Sequence, residues 1–173
     1  NMKAEGRNVI VLPIDKQGVL DSQTFKKAMS KDISMVSIMH VNNEIGSLNI
    51  IKELITIAKS INPDVIFHSD GVQALGKVNL DLEDLGVDLY SISSHKIHGP
   101  KGVGGLYISP KLKIVPLITG GGQENGMRGG TENVPGILGF GEAARIYYEN
   151  RVVYRETLYN LQKRLVDGLQ SIS

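Results

Sequence analysis

Apolar and polar positions along this chain fall into blocks of two periods. Asn8 to Ile14 is a short apolar, β-branched run and predicts a strand. Asp21 and Ser22 can cap a short helix reaching Lys31, with Phe25, Ala28 and Met29 at helical spacing on one face. Ile33 to His40 predicts a buried strand that runs into the polar turn Val41-Asn42-Asn43-Glu44-Ile45-Gly46. Ile50, Leu54, Ile57, Ala58 and Ile61 keep a helical period, which Asn62-Pro63 ends. Val65 to His68 is the next strand, followed by the turn Ser69-Asp70-Gly71-Val72-Gln73. A helical turn is expected around Leu80 to Leu85, then a strand from Val87 to Ser93. Gly105 to Ser109 and Ile114 to Ile118 read as two more short strands. Alternating strands and helices with short links predict an α/β fold with a three-layer, mostly parallel sheet covered on both faces.

The glycine-rich stretch from Gly120 to Asn133 cannot pack as a core element and must be a surface loop, either with a task or disordered. Beyond it, Asn133 and Pro135 look like the cap and first-turn proline of a helix filling most of the remainder. Leu158, Leu161, Leu165 and Leu169 line one face of that helix, an apolar stripe expected to lean on a further domain.

Composition narrows the function classes. A length of 173 residues with 41% hydrophobic and 21% charged residues fits one well-packed domain. The net charge of +1, with both signs interspersed, supplies neither a basic stripe for nucleic acid nor a cationic face for a membrane. Apolar runs such as Val9 to Leu12 are too short to span a bilayer, and the first residues lack a signal-peptide plan, so the cytoplasm is the expectation. With no cysteine, the chain has no disulfide, thiolate metal site or catalytic thiol of its own.

Chemistry concentrates in three polar turns: at Asn43, at Asp70 with Gln73, and at Ser93 with His95 and Lys96. All three follow strands expected to be parallel, and open α/β sheets keep their sites at the carboxyl ends of such strands. A lysine held there beside His95 and partly withdrawn from water can lose its proton and act as an amine nucleophile; the plain alternative is a solvated loop lysine. A carboxylate, an amide and a lysine together suit a pyridine aldehyde cofactor. Asp70 could keep a ring nitrogen protonated, Asn43 and Gln73 could donate to a phenolate oxygen, and Ser93 and His95 could hold a phosphate. Taken alone, Asp70 reads first as a turn aspartate bonded to its own backbone. Arg128 and Thr131 suit an anion clamp or a solvated pair. His95 and His98 are three apart, but with a lysine between them and no cysteine near they make a poor metal site, and His68 reads as a packing residue.

Taken together, His40-Val41-Asn42-Asn43-Glu44-Ile45-Gly46, His68 to Gln73, Ser93 to Gly102 and the Gly120 to Thr131 loop resemble the cysteine desulfurases. These are pyridoxal-phosphate enzymes of the class V aminotransferase family, and the likeness is to the branch that feeds iron-sulfur assembly. The resemblance implies the large domain of the type-I pyridoxal-phosphate fold, with Lys96 bonding the cofactor and Asp70 pairing with its ring nitrogen. It also implies Asn43 and Gln73 at the ring oxygen, Ser93 and His95 at the phosphate, and Thr131 at the phosphate in the other subunit of a homodimer. The implied reaction takes sulfur from L-cysteine, leaving L-alanine and an enzyme persulfide for a scaffold or other acceptor protein. Selenocysteine lyases and aminotransferases share the fold, and a non-catalytic structural or partner-binding module is the reading from another class. By this resemblance the chain is a central fragment, inactive alone, with 1–145 a partial cofactor-binding domain and 146–173 a helical lead toward a small domain.

Overall fold

The computed structural model describes residues 3–172. They divide into two compact units: the chain up to Gln73 with Asp81–Ile92 and Gly105–Val115, and a second unit of Ala74–Leu80, Ser93–Gly104 and the chain from Pro116 on.

The first unit is built on a sheet with spatial order β1 (Met35–Met39), β2 (Ile66–Asp70), β3 (Leu89–Ser93), β4 (Gly104–Ile108). β1 and β2 are parallel with Ser37 opposite His68, and β2 and β3 are parallel with Asp70 opposite Ser91. The Ser109 N–H bonds the Asp88 carbonyl while Ser94 N–H bonds the Val103 carbonyl, a reversed order that makes β4 antiparallel to β3. The sheet is therefore mixed and mostly parallel, as the alternating pattern predicts. Val36, Phe67 and Tyr90 point to one face and are buried, as are Phe25 of α1 (Ser22–Ala28) and Ile51, Leu54, Ile55 and Ala58 of α2 (Ile51–Ile61). Phe25 of α1 meets Phe67 edge to face, ring centroids 6.5 Å apart, and burying such a ring stabilises by about 1.5–3 kcal/mol.

Local chemistry sets the element ends. Asp21 accepts the Thr24 N–H at 2.7 Å and caps α1 as expected. Asn62 ends α2 and donates from Nδ2 to the Ile33 carbonyl at 2.9 Å, tying the helix end to the approach of β1. Asp88, just before β3, accepts both Lys59 Nζ at 2.8 Å and the Phe67 N–H at 2.7 Å, fixing α2 to the sheet. The expected helical turn forms as α3 (Leu82–Leu85), capped by Asp81 and closed by left-handed Gly86.

Two predicted strands do not form. Residues 8–14 and 114–118 stay outside any ladder, with Val11 77% and Leu117 96% exposed. β-branching favours an extended backbone, but a strand also needs an unpaired edge to bond, and neither run meets one among the described residues.

The second unit carries α4 (Val134–Gln170), capped by Asn133 and with Pro135 in its first turn as read from the sequence. Its first turns press closely on the loop after β3. A Cβ on Gly136 would lie 2.4 Å from Val103, and one on Gly139 would lie 2.6 Å from Pro100, so a side chain at either position forces a neighbour to move. Beyond Tyr147 the helix is exposed on all sides. No helix among the described residues is long and apolar enough to cross a membrane.

Candidate active site

In the first unit, the chain leaving β1 folds into a braced turn. Val41 bridges Leu48, the Asn42 N–H bonds the Ser47 carbonyl, and Asn42 Oδ1 accepts the N–H groups of Glu44 and Ile45 at 2.8 and 3.0 Å. Gly46 closes the turn at φ 72°. Buried Asn49 pins its base: its N–H bonds the His40 carbonyl, its Nδ2 donates to Met39 O at 2.8 Å and its Oδ1 accepts Leu20 N–H at 2.9 Å. Asn43 thus stands exposed on a rigid support. Sequence reasoning missed Asn49, whose place just before α2 gives it the look of a helix cap.

Asp70 is the last residue of β2 and half-buried. Its carbonyl accepts the His40 N–H at 2.8 Å, and the next N–H, of Gly71, bonds the Ser91 carbonyl at 2.9 Å. Its Oδ1 accepts the Val72 N–H at 2.9 Å, the turn-aspartate arrangement read from the sequence. That bond orients the carboxylate. Gln73 follows in the same turn.

His68 crosses the sheet. One ring nitrogen lies 2.8 Å from Ser37 Oγ on β1 and the other 2.9 Å from Ser91 Oγ on β3. It is a satisfied packing residue, and burial lowers its pKa against an opposing pull from the Asp70 charge.

In the second unit, Ser93 closes β3 and the 3-10 turn Ser94–Ile97 follows at once. Ser94 and Ile97 face inward and are buried, which presents the intervening His95 and half-buried Lys96 outward. Ser93 Oγ and His95 Nδ1 are 2.8 Å apart. His98 ends the turn at φ 67°, a left-handed conformation that costs a non-glycine residue about 1–2 kcal/mol. Its N–H and that of Gly99 both reach the Ser94 carbonyl, so the turn that carries Lys96 is held in a strained, doubly bonded form. Partial burial, and then the nearby charge of Lys96, lower the pKa of Lys77.

Thr131 and Arg128 are exposed on the glycine-rich loop of the same unit. The loop is ordered: Gly129 N–H bonds the Ile118 carbonyl, and Gln123 Oε1 accepts the Gly130 N–H at 3.2 Å. The first unit carries a carboxylate and two amides in the turns at the ends of the adjacent parallel strands β1 and β2. The second carries a half-buried primary amine next in sequence to a bonded hydroxyl–imidazole pair.

A family model described as "Aminotransferase class-V" matches residues 1–173. The chain is 44% identical to the cysteine desulfurase IscS of Clostridium botulinum over 98% of its own length and 42% of that protein's. It is 52% identical to the cysteine desulfurase IscS of Dictyoglomus turgidum over 82% of its length and 35% of that protein's. A solved structure described as a NifS-like protein superposes with a TM-score of 0.95 at 41% identity, covering 98% of this chain and 47% of the other. The chain spans less than half the length of these relatives.

Proposed function

Because this chain belongs to the class-V aminotransferase family, we propose that it is the central part of a cysteine desulfurase that binds pyridoxal phosphate. The enzyme would take sulfur from L-cysteine, breaking its carbon–sulfur bond and transferring the sulfur to an enzyme thiol, to give L-alanine and a persulfide. This chain has no cysteine, so the persulfide is borne by a residue outside it, and 1–145 acts as part of the cofactor domain while 146–173 leads toward a second one. The enzyme works in the cytoplasm as a homodimer and delivers sulfur to an iron-sulfur scaffold or another acceptor protein.

One observation carries the reading: the strained turn after β3 presents Lys96 between Ser93–His95 and a buried Ile97 anchor, on a chain 44% identical to a named desulfurase. By residue type alone, the groups that the resemblance assigns match those of the cofactor. Asp70 offers a carboxylate to a ring N–H, Asn43 and Gln73 offer amide donors to a phenolate oxygen, Ser93 and His95 offer a hydroxyl and an imidazole to a phosphate, and Lys96 offers an amine to an aldehyde. When bound, pyridoxal phosphate supplies an electron sink for bond cleavage at the substrate. The protein's part is to point the Asp70 carboxylate at the ring, to anchor the phosphate, and to hold and move a proton at Lys96 Nζ. Thr131, on its exposed loop, reaches the phosphate bound by the partner subunit.

The test is to add pyridoxal phosphate, reduce with borohydride, and map the adduct by mass spectrometry in this chain and in the full-length protein. An adduct at Lys96 is the expected result. No adduct in either would overturn the assignment.

A further inference from the structure

Tyr90, the second residue of β3, is fully buried, and its hydroxyl lies 2.7 Å from Nδ1 of buried His40, just past the end of β1. The two rings meet edge to face, centroids 6.0 Å apart at 85°. β1 and β3 flank β2 on either side, so this side-chain bond joins the two neighbours of the strand that ends in Asp70. The same two neighbours also grip the Asp70–Gly71 peptide through its backbone, His40 N–H on the Asp70 carbonyl and Ser91 C=O on the Gly71 N–H. Gly71 lies against the ring: a Cβ there would sit 1.8 Å from Tyr90 Cε1 and 2.4 Å from its hydroxyl oxygen. The backbone of Gly71 has no positive φ, so the residue is glycine for space and not for conformation.

We infer that His40 and Tyr90 are a positioning pair for Asp70, and that Gly71 lacks a side chain because the Tyr90 ring takes its place. This role rests on the reading of Asp70 as a cofactor-binding carboxylate. Burial lowers the pKa of His40 and raises that of Tyr90, with the Asp70 charge adding to the second effect. Both partners are therefore neutral near pH 7, and their bond places no competing charge beside the carboxylate. A carboxylate at a strand end is aimed only as well as its backbone is held, and a productive site tolerates displacements of roughly 0.5 Å. The backbone clamp fixes the position of the peptide, and the side-chain bond keeps the two clamping strands from parting.

The test uses the full-length protein. Tyr90→Phe keeps the ring and removes the hydroxyl, and one net hydrogen bond corresponds to about fivefold in affinity. Tyr90→Phe is expected to weaken pyridoxal-phosphate binding by about that factor and to speed amide hydrogen exchange at Gly71 and Val72 in the cofactor-free protein. Phe25→Leu, a packing loss elsewhere in the same core, is expected to lower stability at least as much and leave affinity unchanged. Gly71→Ala is expected to weaken binding in the wild-type background and to add no further loss once Tyr90→Leu has removed the ring. Unchanged affinity and exchange in Tyr90→Phe, or an equal loss of affinity in Phe25→Leu, would overturn the role. A wild-type protein that takes up no pyridoxal phosphate at Lys96 overturns the functional reading, and this role for the pair with it.

Discussion

Helices α2 and α4 carry the same kind of apolar stripe and meet different fates. In α2, Ile51, Leu54, Ile55 and Ala58 are all buried under the sheet, and eleven residues suffice to anchor the first unit. In α4, thirty-seven residues bury only Gly136 and Tyr147, and Leu158, Leu161, Leu165 and Leu169 are each more than half exposed. The difference shows what amphipathicity measures. A stripe at helical spacing states that a face can bury apolar area, and its stabilising effect of about 25 cal/mol per Å² arises only where another element covers it. At the start of α4, Gly136 and Gly139 let bare backbone approach Val103 and Pro100 closely.

The largest predicted effect sets the two helices' surroundings against each other. Phe25→Ala empties a site beside α2 that is 1% exposed and is expected to cost about 3–5 kcal/mol in denaturant unfolding. Leu165→Ala, at 62% exposure, is expected to change stability by less than about 0.5 kcal/mol. A comparable loss in Leu165→Ala would mean that the far end of α4 is covered in solution.

A smaller effect sharpens the contrast through pH. His40 and His68 both belong to the first unit, and burial lowers each below the ordinary value of 6.5. Below that value the unfolded chain takes up protons that the folded one resists. Their stabilising contribution is therefore intact above pH 6.5 and declines as pH falls from there toward the folded-state pKa values. Urea midpoints are expected to drop between about pH 7.5 and 5.5, and the combination of His40→Gln and His68→Gln is expected to flatten that drop. An unchanged slope would show that other groups control acid stability.

The smallest effect is Ser69→Ala. Its hydroxyl is buried in the first unit without a hydrogen-bond partner among the described residues, so removing it is expected to leave stability unchanged or raise it by up to about 1 kcal/mol. A loss measured by thermal unfolding would reveal a bond partner for Ser69 Oγ.

Much of the molecule was legible in advance. The parallel order of β1, β2 and β3, the caps at Asp21 and Asn133, and the turn locations of Asn43, Asp70 and Lys96 all follow from short-range signals: period, punctuation and capping chemistry. The failures share one cause. Asn8 to Ile14 and Ile114 to Ile118 have strand composition, yet a strand is a relation between two segments, and a run read alone does not show whether an edge awaits it. Asn49 and Tyr90 went unread for the same reason. Asn49 looks like a helix cap and Tyr90 like an ordinary core aromatic until their partners, Met39 and Leu20 for one and His40 for the other, are brought beside them by the fold.

From the amino-acid order alone came the fold class, the family resemblance and the residue types of the candidate site, because each is written in local pattern and in motifs that need no neighbour. The tertiary structure alone decided which polar side chains brace those motifs, which stripe is buried, and why position 71 is glycine. Those answers depend on contacts 10 to 50 residues apart, from Asn49 with Met39 to His40 with Tyr90. Closing such loops costs chain entropy that only the packed core repays, so these contacts exist in the folded molecule and have no trace in any short stretch of sequence.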